Sequence, residues 1–201
     1  MAKETQRPDR SVTVNAWQGE PELREERSRW HPDAPAWHAW NQMSPEHEFC
    51  EFAAAVVRMA KPPLVIETGV GQGYTTRRVA AALASSARLI GFESDRAWRE
   101  KLAELAFFDG QTATLAAEPT PSDDELASVD LFIADSGQKY RSGEVTRWAE
   151  LAKPGSLILV HDTGNGHPQW TPHHRMGELI DSLGIRGLRL PNPRGSFVGQ
   201  R

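Results

Sequence analysis

Cysteine is nearly missing from the chain: Cys50 is the only one in 201 residues. A single thiol excludes an internal disulfide and a cysteine-rich zinc site, and it suits a reducing compartment. A basic block is also missing. With a net charge of −4, the sequence argues against a nucleic acid partner, whose phosphates call for clustered Lys and Arg. No apolar stretch is long enough to span a membrane, and the N-terminus lacks the apolar core of a signal peptide. The expectation is a cytoplasmic protein that engages neither membrane nor nucleic acid. There is no internal repeat at solenoid periods. Hydrophobic residues make up 39% of the chain, enough for one domain with a real core and with exposed or loosely packed ends.

What is present is organised around residues 64–76. Leu64, Val65 and Ile66 form a short apolar strand with Glu67 at its end. Gly69, Gly71 and Gly73 then turn the chain into a helix expected to start near Thr75. Glycine tolerates positive φ and lets a ligand approach the backbone, and the helix behind aims free N–H groups into the turn. The dinucleotide fingerprint G-x-G-x-x-G requires glycine where this chain has Tyr74, so a nicotinamide site is disfavoured. The next apolar run, residues 88–92, ends in Glu93, 20 positions after Gly73. An acid there can accept both hydroxyls of a ribose. Its bland alternative is a helix cap, since Ser94 and Asp95 open a helix.

The remaining elements follow in order. Residues 1 to about 28 read as a polar tail or a surface-wrapping arm. Residues 30–40 hold Trp30, Trp37 and Trp40 among prolines and histidines. That segment is either packed on the domain, a lid over the site, or a dimer contact. Ser44 reads as the N-cap of a helix, with Pro45 at its first position and Glu46 in its first turn, ending at Lys61. A helix over 95–107, a strand over 112–116, a turn-rich loop over 119–125 and a strand over 129–134 ending in Asp135 come next. A helix over 141–151 leads to a strand over 156–160 that ends in His161 and Asp162. A last helix over 172–183 precedes two short strands, 187–190 and 196–198, too close for a helical crossover and so an antiparallel hairpin at the sheet edge. Strands alternating with helices predict a Rossmann-like, doubly wound α/β fold with a mainly parallel sheet. Glu67, Glu93, Asp135 and Asp162 should then crowd one rim, where open α/β sheets bind ligands. Residues 1–43 are assigned to tail and arm, and 44–201 to the domain.

The spacing E-x-G-x-G-x-G at Glu67 to Gly73 resembles the signature of class I S-adenosylmethionine (SAM) methyltransferases. The resemblance covers about residues 44–200. It implies that Glu67 and the glycine turn receive the amino acid end of SAM, and that Glu93 holds the ribose. The implied cofactor set is Glu67, Gly69, Gly71, Gly73, Tyr74, Glu93, Glu118 and Asp135, with Glu118 placed near the adenine. Residues 135–140, 151–155 and 161–163 are similar to the metal-dependent small-molecule O-methyltransferases, the macrolide-sugar and catechol types and the cephalosporin hydroxylase-like group. There an acid after the fourth strand and one after the fifth bind a divalent ion such as Mg²⁺. Asp135 and Asp162 match those places, and their oxygens suit a hard cation.

The chain departs from that branch in three places, one of them His161, which stands where related enzymes have an acidic ligand. Gln138 stands where the branch often has a histidine, and Gln cannot take a proton. Thr163 follows Asp162 where the catechol type has asparagine. The histidines available as a base are His161, His167, His173 and His174, with His161 first by its place at the rim. Lys139 is an alternative cation near the acceptor. The expected activity is methyl transfer from SAM to a small molecule, at a hydroxyl oxygen, with His161, Asp135 and Lys139 as catalytic candidates and a homodimer through the arm as a further expectation. The alternatives are a non-catalytic SAM or nucleoside binder, and a non-methyl-transferring enzyme on the same scaffold.

Overall fold

The computed structural model describes residues 22–27, 35–41, 44–102, 108, 112–164 and 171–201, with the backbone alone for 171–174. Trp30, His31 and His167, and the side chains of His173 and His174, lie outside the described residues. Two short strands, β1 (Arg24–Glu26) and β2 (Trp37–Ala39), pair antiparallel. Then come α1 (His47–Ala60), β3 (Leu64–Thr68), α2 (Tyr74–Ala82), β4 (Arg88–Phe92), α3 (Arg96–Leu102) and β5 (Ala113–Leu115). The second half is α4 (Asp123–Ser128), β6 (Leu131–Ala134), α5 (Gln138–Leu151), β7 (Leu157–His161), α6 (Thr171–Ser182), β8 (Arg186–Leu190) and β9 (Ser196–Gln200).

The main sheet has seven strands in the order β5-β4-β3-β6-β7-β9-β8. All neighbours from β5 to β7 are parallel, and β9 runs antiparallel to both β7 and β8. The expected doubly wound sheet and its antiparallel end are therefore both present. The chain winds outward from β3 to β5, then returns to β6 beside β3. The strand order reverses between β3 and β6, and such a reversal leaves a crevice at the carboxyl ends of the strands.

Side chains alternate across each strand, so both faces need cover. Val65, Leu89, Leu131, Ile133 and Leu159 pack on one face with Phe49, Ala53 and Val57 of α1 and Val79 of α2. Ile66, Phe132, Ala134, Ile158 and Val160 pack on the other with Leu126, Val145, Trp148, Met176 and Ile180 from α4, α5 and α6. The same alternation aims Glu67 toward α2 and Thr68 toward α5, where Thr68 Oγ1 donates to Glu144 Oε2 at 2.8 Å.

Several element boundaries differ from expectation. Residues 119–122 form a loop as expected, but 123–125 open α4, because Ser122 and Glu125 form a capping box: Glu125 N donates to Ser122 Oγ at 3.3 Å and Ser122 N to Glu125 Oε2 at 2.7 Å. The first helix begins at His47 with Glu46 as its N-cap residue. Ser44 instead closes a turn, its Oγ accepting from Trp40 N and Asn41 N. α5 starts three residues earlier than expected, at Gln138. The hairpin β8–β9 is antiparallel as expected, but β9 is inserted against β7 and β8 forms the edge.

Candidate functional site

The glycine loop begins where β3 ends. Gly69, Gly71 and Gly73 all have positive φ, at 80°, 56° and 78°. At Gly69 glycine is also required by contact. A Cβ there would lie 2.3 Å from the carbonyl oxygen of Asp135, so this residue lets the ends of β3 and β6 touch. The loop is held in shape by Glu93, at the end of β4. Its Oε2 accepts from Gly71 N at 2.8 Å, and its Oε1 accepts from Asp95 N at 2.9 Å. The helix cap falls to Asp95, whose Oδ1 accepts from Ala97 N and Trp98 N.

Against this loop lies a cavity of about 520 Å³. Gly69, Gly71, Tyr74, Glu93, Asp135 and Asp162, all singled out from sequence, line it. Glu67, Gly73, Glu118, Lys139 and His161 do not. Glu118 and Lys139 are exposed, and Lys139 Nζ lies over the Tyr140 ring at 5.5 Å. Gly73 is the N-cap residue of α2. Glu67 is buried beneath the loop, its Oε2 without a hydrogen-bond partner among the described residues. Burial pushes its carboxyl up to about 8, and the neighbouring Asp135 and Glu93 charges add to the rise.

His161 is fully buried behind the cavity wall. Its Nδ1 lies 2.8 Å from Asp135 Oδ1, and its Nε2 is bonded to Glu46 Oε2. Burial opposes a charged ring, but Asp135, Asp162 and Glu46 outweigh it and raise the pKa to about 10. Burial would likewise raise Glu46, yet His161 and Arg194 hold it down at about 2. The other oxygen of Glu46 accepts from Asn192 Nδ2 and Arg194 N, both at 2.9 Å.

Two arginines complete the cluster. Arg194 Nη2 donates to Asp162 Oδ2 at 2.8 Å, its Nε lies 2.6 Å from Asp162 Oδ1, and its Nη1 donates to Ser44 O at 2.8 Å. Its guanidinium carbon lies 5.9 Å from the centre of the Trp37 ring. Arg141 donates from Nη1 to His161 O at 2.7 Å and from Nε to Ser136 O at 2.8 Å, with Nη2 3.4 Å from Asp135 Oδ1 and 3.5 Å from Asp162 Oδ2. Asp162 sits at φ 56°, in the left-handed region that non-glycine residues rarely adopt.

Sequence reasoning missed Arg141, Arg194, Glu46 and Trp98. Arg194 sits in a turn without a motif and reaches the rim through the strand topology. A strand antiparallel to its parallel neighbours starts at their carboxyl ends, so the loop before β9 returns to the rim. Trp98, on α3, lines the cavity. Of the arm tryptophans, Trp37 and Trp40 are buried. Trp40 stacks on Tyr74 with ring centroids 4.1 Å apart, and Asn41 Nδ2 donates to Gln72 Oε1 at 2.6 Å. Trp40 and Asn41 thus brace the glycine loop, while Trp37 lies by the Arg194 guanidinium.

A glycine loop at the switch point of a doubly wound sheet, with an acid closing the next strand, marks the nucleoside-binding class of α/β proteins. Residues 66–163 match the family described as a methyltransferase domain. No curated protein matches the sequence. Among solved structures, an O-methyltransferase from Bacillus cereus in complex with S-adenosylhomocysteine (SAH) is 14% identical with a TM-score of 0.62, over 80% of this chain and 84% of that one. The SAH-bound methyltransferase PaMTH1 of Podospora anserina is 17% identical with a TM-score of 0.60, over 79% and 80%. The O-methyltransferase TomG of Streptomyces achromogenes, involved in tomaymycin synthesis and solved with SAM, is 16% identical with a TM-score of 0.56, over 79% and 81%. These likenesses carry the fold.

Proposed function

We propose that the protein transfers a methyl group from SAM to a hydroxyl oxygen of a small molecule. The observation that carries this reading is the cavity, with the methyltransferase glycine loop on one wall and a cluster of acids and arginines on the other. Bound there, SAM supplies an electrophilic methyl group on a sulfonium. The loop residues Gly69 and Gly71 bring bare backbone to the cofactor. Glu93 keeps lone pairs for ribose hydroxyls while it fixes the loop, and Trp98 offers an apolar wall for a base. Alignment of donor and acceptor can supply about 7–11 kcal/mol of the barrier.

A hydroxyl acceptor must also lose its proton. Asp135 is the group placed to take it, since its carboxylate reaches the cavity, whereas His161 is sealed behind it and orients it. Asp162, Ser44 and Tyr140 line the same cavity. The small-molecule acceptor follows from the size of the cavity and from the chain's net charge of −4. A cytoplasmic setting belongs to the same reading, on the ground of the single cysteine. No helix among the described residues is long and apolar enough to cross a membrane. The dimer reading has weaker support, because Trp37 and Trp40 are turned inward.

The resemblance implies a divalent ion held by Asp135 and Asp162. Asp135, His161 and Asp162 do offer ligand atoms within 4.8 Å of one another. Both Asp162 oxygens, however, face Arg194, and His161 Nδ1 faces Asp135. The donors do not fit Mg²⁺ while those pairs stand.

Calorimetric titration with SAM and SAH tests the proposal. Both should bind, and Glu93→Ala should weaken them at least about tenfold, a difference of about 1.4 kcal/mol. No binding of either to the wild type would sink it.

A further inference from the structure

We infer that Arg194 takes the place of a divalent cation at the acceptor side of the cavity, so that the site works without a metal ion. The acids are where a metal site would have them, at the ends of β6 and β7, and Asp135, His161 and Asp162 converge closely enough to share an ion. The space that an ion would share with Asp162 is instead addressed by the guanidinium of Arg194. That guanidinium meets both carboxylate oxygens, at 2.6 Å and 2.8 Å. Arginine stays protonated in proteins, and its planar fork matches a carboxylate at two points.

The guanidinium is also built in rather than draped over the site. It is fixed by Ser44 O on one side and by the Trp37 ring on another, while the backbone N–H of the same residue is held by Glu46. Asn192, two residues earlier, donates to the same Glu46 oxygen, so the whole turn before β9 is tied to the start of α1. A second fixed cation, Arg141, stands 3.4 Å from Asp135 and 3.5 Å from Asp162. An incoming divalent ion would have to displace one guanidinium and sit against another of like charge. Two arginines already lie at the acid pair, and both line the cavity. Positive charge that a metal would bring to an acceptor oxygen is thus supplied by side chains.

This inference rests on the methyl-transfer reading only in calling that side of the cavity the acceptor side. The test does not need turnover. Mn²⁺ binding to the full chain would be followed by electron paramagnetic resonance of the free ion, with SAM affinity measured separately by calorimetry. The wild type should show no saturable Mn²⁺ site at micromolar ion. Arg194→Ala, checked for folding by circular dichroism, should gain a site, and the double variant with Asp162→Asn should lose it again. Saturable binding by the wild type that Asp162→Asn abolishes would overturn the inference, whether or not SAM binds. A folded Arg194→Ala that stays silent would overturn the claim that the guanidinium stands in the ion's place. If Arg194→Ala does not fold, the wild-type titration and Asp162→Asn still decide. Loss of SAM binding with a silent wild type would count against the methyl-transfer reading alone.

Discussion

Glu67 should make the protein lose stability as pH rises through the neutral range. Its carboxyl lies on β3, 1% exposed, and burial lifts its pKa from the ordinary 4.5 to about 8. A carboxyl raised in the folded state binds its proton more tightly there than in the unfolded chain. Its contribution is therefore fully present below 4.5 and is lost as pH climbs toward about 8. A tenfold difference in proton affinity corresponds to about 1.36 kcal/mol, so the whole effect is on the order of 3–5 kcal/mol, of which about 3 kcal/mol falls between about pH 5 and about pH 7.5. Glu67→Gln keeps the shape of the protonated acid and cannot ionise. Near pH 5 the two proteins should be similar in stability, and near pH 7.5 the variant should be the more stable by about 3 kcal/mol. Urea unfolding followed by tryptophan fluorescence at several pH values gives the difference directly. His161, raised from 6.5 to about 10, loses its own contribution in the same direction above 6.5, but it does so in both proteins and cancels. Parallel stability profiles for wild type and variant would refute the reasoning.

Two further predictions concern the loop and the buried cluster. Gly69→Ala combines positive φ with a Cβ 2.3 Å from Asp135 O, whereas Gly71→Ala, also at positive φ, meets nothing closer than 3.9 Å among the described residues. The first should cost roughly 2 kcal/mol more than the second in thermal or urea unfolding, and equal costs would show that β3 and β6 do not need that contact. Glu46→Gln should destabilise the fold by about 3 kcal/mol at neutral pH, because the buried His161 and Arg194 lose a carboxylate. Glu46 is held at about 2, below its ordinary 4.5, so its contribution exists above 4.5 and is lost as pH falls toward 2. The deficit of the variant should accordingly shrink on acidification, and a constant deficit would contradict the pairing.

Much of this protein is legible in the order of its residues. The run from Leu64 to Thr76 states its own geometry: apolar residues for a buried strand, then glycines where only positive φ and a bare backbone will serve. The alternation of such strands with helices implies a doubly wound sheet, and right-handed crossovers carry Glu67, Glu93, Asp135 and Asp162 to one rim. All of this depends on neighbours in sequence and on handedness, which local chemistry determines. Pairings between distant segments were not legible in that way. Glu46 looked like an acid in a helix's first turn, yet it is drawn into the core by His161, 115 positions away. His161 looked like a base at the rim, yet strand β9 and helix α1 close over it. Arg194 sat in a turn with no motif. It became part of the site because β9 is inserted antiparallel beside β7, which returns that turn to the carboxyl ends of the strands. Sequence alone thus determined that the strand-end acids Glu67, Glu93, Asp135 and Asp162 gather at one rim. Tertiary structure decided which of them face the cavity and which neutralise one another, because burial and ion pairing depend on the distances that folding creates.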